Sequence, residues 1–126
     1  MRLLVDTHVL IWAINEPERI PRRVGEAMGS PGNLTFVSAV CLWEIAIKSR
    51  MGKLEAPQEL PDLVDRHPDF RVLEINAAHA WKVRSLPTLH RDPFDQMLVA
   101  QALVENMTVV THDRMLARYG VPIIAV

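Results

Sequence analysis

Cysteine occurs once in the 126 residues, as Cys41, so no internal disulfide can form and the fold must rest on buried apolar surface. That usage fits a reducing compartment. Cys41 itself reads as a small buried residue on a helix. No run approaches the roughly 18 apolar residues of a membrane span. Met1-Arg2-Leu3-Leu4-Val5 opens like a leader, but Asp6 interrupts it almost at once. The chain is therefore expected to be soluble and cytoplasmic, with no membrane partner. An excess of one charge is also lacking: 14 Lys and Arg stand against 15 Asp and Glu, a formal net charge of −1. No global positive field draws the protein onto nucleic acid, so such a partner needs a local basic patch. No Gly-rich Walker loop or GxGxxG loop follows an apolar run, there is no Cys pair for zinc, and the histidines show no HxxxH spacing. Asp6-Thr7-His8 lacks a second Asp two residues on, which disfavours an aspartyl-phosphate phosphatase.

What is present suffices for a core. Hydrophobic residues make up 49% of the chain, which rules out a disordered tail. A single domain over 1–126 is expected, able to bury about two thirds of its unfolded surface. Short apolar runs predict strands at 2–5, 34–37, 70–75, 108–111 and 121–125. Between them lie predicted helices. Asp6-Thr7 caps one over 8–14, ended by Asn15-Glu16-Pro17. Pro21 suits the first position of a second, to about residue 28. Ser38 caps a long helix over 39–50, closed by Gly52. A further helix covers 57–66, disturbed by Pro61. Asn76 caps a helix to residue 85, and 86–91 is a loop. Asp92-Pro93 opens the clearest helix, 94–105. Asp113 caps a short one to Tyr119, closed by Gly120. Strands alternating with helices imply an α/β fold, a parallel sheet covered on both faces. Ligands of such sheets bind beyond the carboxyl ends of the strands, near where strand order reverses.

Carboxylates fall at those ends. Asp6 follows the first strand directly, and Asp113 follows the fourth; each also reads as a helix cap. Glu44 lies in a helix apolar on nearly all sides, through Ala39, Val40, Leu42, Trp43, Ile45, Ala46 and Ile47. Its alternative reading is an i,i+4 pair with Lys48 on a solvated stripe. Asp92 reads as the cap before Pro93. Asp95 stacks on the face of Leu98, Val99 and Ala102, where a carboxylate is costly unless paired or metal-bound. Clustered carboxylates repel, and a hard divalent cation relieves the repulsion; oxygen ligands suit Mg²⁺ or Mn²⁺. Such a site serves in-line phosphoryl displacement. His8 and His112 adjoin two of these acids. Trp12, Trp43 and Trp81 sit at helical positions among aliphatics and read as core packing rather than base-stacking residues.

Four segments carry a family resemblance: LLVDTHVLIWAI, VSAVCLWEIAIKSRMGKL, LPTLHRDPFDQMLVAQA and VVTHD. They resemble PIN-domain proteins, in particular the VapC-like toxins of bacterial toxin–antitoxin pairs, and span nearly the whole chain in order. The resemblance implies a three-layer α/β/α sandwich with strand order 3-2-1-4-5. It implies a metal-dependent ribonuclease whose acids fall on Asp6, Glu44, Asp95 and Asp113, supported by Thr7 and Thr111. Asp92 belongs to the DPFD variant of the pattern, and its contact with metal is left open. An RNA substrate, a cognate antitoxin and a homodimer are the implied partners. Lys48, Arg50 and Lys53 form the densest basic group, and Arg91 and Arg114 adjoin two acids; these are the candidates for RNA phosphates, against a reading as ordinary surface. Three functions stay in play: a toxin endoribonuclease, a housekeeping RNA-processing nuclease, and a non-enzymatic binding module whose acids are caps and ion pairs.

Overall fold

The computed structural model describes residues 1–89 and 91–126; His90, inside the expected 86–91 loop, lies outside the described residues. The strands are β1 (Arg2–Val5), β2 (Leu34–Ser38), β3 (Phe70–Leu73), β4 (Thr108–Thr111) and β5 (Ile123–Ala125). They form one five-stranded sheet in the order β3-β2-β1-β4-β5. Every pairing is parallel, with Val5 opposite Val37 on one side and Val110 on the other. Leu3, Leu4, Val5, Val37, Val109 and Val110 are fully buried, as expected where helices cover both faces of a parallel sheet. Each such side chain contributes roughly 1.5–3 kcal/mol by leaving water.

The helices are α1 (Thr7–Asn15), α2 (Arg22–Gly29), α3 (Ala39–Arg50), α4 (Leu60–Arg66), α5 (Ala77–Lys82) and α6 (Pro93–Glu105), with 3₁₀ turns at Pro17–Arg19, Val83–Ser85 and Arg114–Tyr119. Parallel crossovers are right-handed. The connections of β1 to β2 to β3 therefore cover one face, and the return to β4 and β5 covers the other. The strand order reverses between β1 and β4. Helices α1 and α3 start directly after β1 and β2, and α6 runs back to feed β4, so their N-termini lie toward the carboxyl end of the sheet, where the acids are.

Several boundaries differ from expectation, each for a local reason. Pro21 is the N-cap of α2 rather than its first residue, its carbonyl accepting from Val24 and Gly25 N–H. Helix α4 starts at Leu60, not residue 57; Pro61 sits in its first turn, where no N–H is needed, and so marks the start rather than a disturbance. Strand β3 stops at Leu73 because its partner Ser38 turns into α3. Strand β5 starts at Ile123, since Pro122 has no N–H to donate, although its carbonyl accepts from Val109 N–H.

Candidate active site

Asp6 extends β1 by donating its N–H to Val110 O at 3.0 Å. Its side chain then caps α1: Oδ1 accepts from Val9 N–H at 2.9 Å. Oδ2 accepts from the Thr111 hydroxyl at 2.5 Å and from His112 N–H at 3.3 Å. The cap and the candidate ligand are thus one residue, 7% exposed and oriented from both strands. Thr111 Oγ1 also accepts from Asp113 N–H at 2.9 Å, so one hydroxyl ties the two acids of β1 and β4 together. Asp113 in turn caps the Arg114–Tyr119 turn through Met115 N–H.

Glu44 comes in from the neighbouring element. The Ser38 side chain caps α3 at the end of β2. Two turns on, Glu44 is only 5% exposed. Oε1 accepts from the Thr7 hydroxyl and Oε2 from the Lys48 ammonium, each at 2.5 Å. The i,i+4 pair with Lys48 therefore forms, but in the cleft rather than on a solvated stripe. The hydrogen bond to Glu44 raises the Lys48 ammonium above its ordinary range, and the charges of Glu44, Asp92 and Asp95 add to the rise. Burial pushes the Cys41 thiol behind the site up to about 12, and the Asp6 and Glu44 charges add to the effect. From the far side, Asp92 caps α6: Oδ1 accepts from Phe94 N–H at 2.8 Å and Asp95 N–H at 3.3 Å. That fixes the turn presenting Asp95.

All five carboxylates (Asp6, Glu44, Asp92, Asp95, Asp113) line one cleft of about 150 Å³, together with Thr7, His8, Lys48 and His112. A larger hollow of about 680 Å³ beside residues 52–57 holds no such convergence of groups. The donors are all hard oxygen, which fits a hard divalent cation. Among the described residues, no three His, Cys, Asp or Glu side chains close on a single point. Protein hydroxyls, amides and Lys48 satisfy Asp6 and Glu44 instead. Of the basic candidates, only Lys48 lines this cleft; Arg50, Arg91 and Arg114 are exposed and do not line it. Trp12 is packed as expected, at 8% exposed. Trp43 and Trp81 are not core: they are 55% and 71% exposed, Trp43 edge-on to Phe94 and Trp81 beneath Arg84.

A model of the PIN domain matches residues 3–122. The chain belongs to the PIN-domain family. This PIN domain is 27% identical to ribonuclease VapC22 of Mycobacterium tuberculosis (strain ATCC 25618 / H37Rv) over 122 residues, 95% of this chain and 93% of that protein. Its fold is similar to that of VapBC2 from Rickettsia felis bound to a DNA fragment from the promoter (TM-score 0.74, 18% identity, 99% of this chain and 98% of that one). It is equally similar to DNA-bound VapBC from Salmonella typhimurium (TM-score 0.74, 21% identity, 99% and 98% covered).

Sequence reading passed over one polar network in this PIN domain. Gln101, fully buried on α6, accepts from the Ser38 hydroxyl at 2.5 Å and lies 3.4 Å from His79 Nδ1. His79 Nδ1 accepts from Asn76 N–H, and its Nε2 meets Glu105 at 3.0 Å. The cap of α3 is thereby tied to α6, the two helices carrying Glu44 and Asp95. A glutamine between Ala100 and Ala102 on an apolar face was the available signal.

Proposed function

We propose that this PIN domain, a single domain over 1–126, is a divalent-metal-dependent endoribonuclease and the toxin of a toxin–antitoxin pair. The observation that carries this reading is the gathering of five carboxylates in one cleft, where the strand order of the PIN sheet reverses. Asp6, Glu44, Asp95 and Asp113 would hold Mg²⁺ or Mn²⁺. Such a cation supplies Lewis-acid activation of water and neutralises charge on the phosphate. The chain's own groups set the geometry. Thr111 orients Asp6 and places Asp113, Thr7 and Lys48 hold Glu44, and Asp92 fixes the helix turn bearing Asp95. His8 and His112 line the cleft beside them. Hydrolysis joins a water oxygen to phosphorus and breaks one bond from phosphorus to ribose oxygen, which takes up a proton.

The likeness to the VapBC complexes supports an antitoxin partner, and a homodimer and a cytoplasmic setting are proposed with it. Among the described residues no helix is long and apolar enough to cross a membrane. The test uses purified protein and total RNA with Mg²⁺, Mn²⁺ or EDTA, with cleavage ends mapped. Cleavage is expected with metal, and is expected to vanish in EDTA and to fall at least a hundredfold in Asp95→Asn. RNA left intact with either metal would sink the nuclease reading. Growth arrest on expression, relieved by a co-expressed neighbouring small gene, separates a toxin from a housekeeping nuclease.

A further inference from the structure

A second hollow, of about 340 Å³, lies against the acidic cleft and shares Thr7, His8, Glu44 and Lys48 with it as a common wall. That volume sits at the lower end of the range for small-molecule pockets, about 300–1,000 Å³. Its remaining lining differs in chemistry from the cleft. Ile11, Trp12 and Leu54 give an apolar wall, and Arg19 and Lys53 stand at its rim with Glu16. We propose that this hollow is a nucleotide subsite for single-stranded RNA, taking the nucleoside next to the phosphate seated at the acidic cleft. The inference rests on the RNA reading of that cleft.

Three features support it. The first is continuity: four residues belong to both hollows, so a strand with a phosphate in one places its neighbouring sugar and base in the other. The second is charge. Arg19 pairs with Glu16 at 3.2 Å and Lys48 with Glu44 at 2.5 Å. Lys53 has no ion-pair partner among the described residues. The subsite therefore carries one cation beyond its pairs, as a flanking phosphate needs and an acidic cleft alone does not provide. The third is a flat, fixed stacking surface. The Arg19 guanidinium lies over the Trp12 ring at 4.4 Å from its centroid, and Glu16 holds its Nη1. Bases of single-stranded RNA stack on arginine planes held in this way.

The sequence builds the subsite from two separate pieces. Thr7, His8, Ile11 and Trp12 fall on one face of α1 at one-turn spacing. Helix α3 ends at Arg50, and Gly52 just beyond its cap has a φ of +71°, the left-handed conformation that glycine adopts freely. Lys53 N–H then closes on Lys48 O at 2.9 Å. That turn folds Lys53 and Leu54 back toward α1 to complete the wall.

The test measures anisotropy binding and, separately, cleavage of a labelled single-stranded oligoribonucleotide across a salt series. Wild type, Lys53→Glu and Arg19→Ala are compared after circular dichroism establishes equal folding. Lys53→Glu should weaken binding about tenfold, raise KM more than it lowers kcat, and reduce the salt slope by about one. Arg19→Ala should weaken binding severalfold. That outcome supports the subsite even if the wild type does not cleave, in which case only the nuclease reading fails. A wild type that cleaves while both variants bind RNA as it does overturns the subsite and leaves the nuclease reading standing. A wild type that neither binds nor cleaves RNA overturns both. Loss of binding to a co-purified protein partner with RNA binding intact also overturns it, in favour of a protein-docking pocket.

Discussion

Thr111 concentrates much of the site's organisation in one hydroxyl, which donates to Asp6 Oδ2 and accepts from Asp113 N–H. Thr111→Val keeps the shape but leaves a buried carboxylate oxygen and an amide without that partner. The loss should be about 1–3 kcal/mol of stability, with a more than tenfold drop in cleavage, whereas Thr111→Ser should keep both. Denaturant melts and cleavage rates check this; a valine variant as active as wild type would remove Thr111 from the site's support. Cys41 carries a second prediction. Its thiol stands at about 12 in the fold against an ordinary 9.0. A group whose folded pKa is raised contributes stability fully present below the unfolded value and lost as pH rises toward the folded one. Stability should therefore decline between about pH 9 and 12 and be flat with respect to this group below 9. Lys48, also raised, acts in the same direction at the upper end of that window. Urea melts from pH 8 to 10.5 should show a shallower decline for Cys41→Ala than for wild type, but not an absent one. Equal slopes would mean that the thiol ionises as readily in the fold as outside it.

Among the elements, α6 has the sharpest sequence definition. Asp92 caps it, Pro93 occupies its first position, and Asn106 ends it in the left-handed conformation at φ 57°. The bonds from Asp92 to Phe94 and Asp95 N–H make the cap reading firm, while the same side chain lines the acidic cleft. The two roles separate on substitution. Asp92→Ala should lose about 1 kcal/mol, and Asp92→Asn should lose little, because asparagine caps as well as aspartate. Cleavage rate against Mg²⁺ concentration for Asp92→Asn then decides the rest. A curve superposable on wild type leaves Asp92 as a cap, and a large rightward shift places it among the metal-holding acids. The same element shows how far local signals reach. Caps are readable because their side-chain bonds run to residues two or three away. Pro21 and Pro61 were misjudged by a residue or a turn, because proline fits both just before a helix and inside its first turn.

For the whole molecule, the acids converge because the strand order reverses between β1 and β4, and folding must hold them together against their repulsion. Adding Mg²⁺ or Mn²⁺ to chelator-stripped protein should raise the melting temperature by several degrees. A ligand present at a hundred times its dissociation constant and bound only by the folded state adds about 2.7 kcal/mol. Asp6→Asn should abolish most of that gain. A melting curve unmoved by millimolar metal would argue that Lys48 and the hydroxyls already satisfy the cleft and that no cation is held there.

The sequence by itself determined the strands, the helices and the acids at their ends. Each of these follows from the apolar period, from a cap bonding to a residue close along the chain, or from a carboxylate directly after a buried run. The resemblance added the strand order, which the sheet reproduces. The tertiary structure decided what lies between elements. It buried Glu44 and turned the adjacent Trp43 to solvent, although both sit on one nearly all-apolar helix. It brought Lys48 into the acidic cleft, joined Ser38 to Gln101 across 63 positions, and set Arg19 over Trp12 beside Lys53. These outcomes depend on which face of each helix meets a neighbour. That is fixed by packing over the twisted sheet, and no window of consecutive residues contains it.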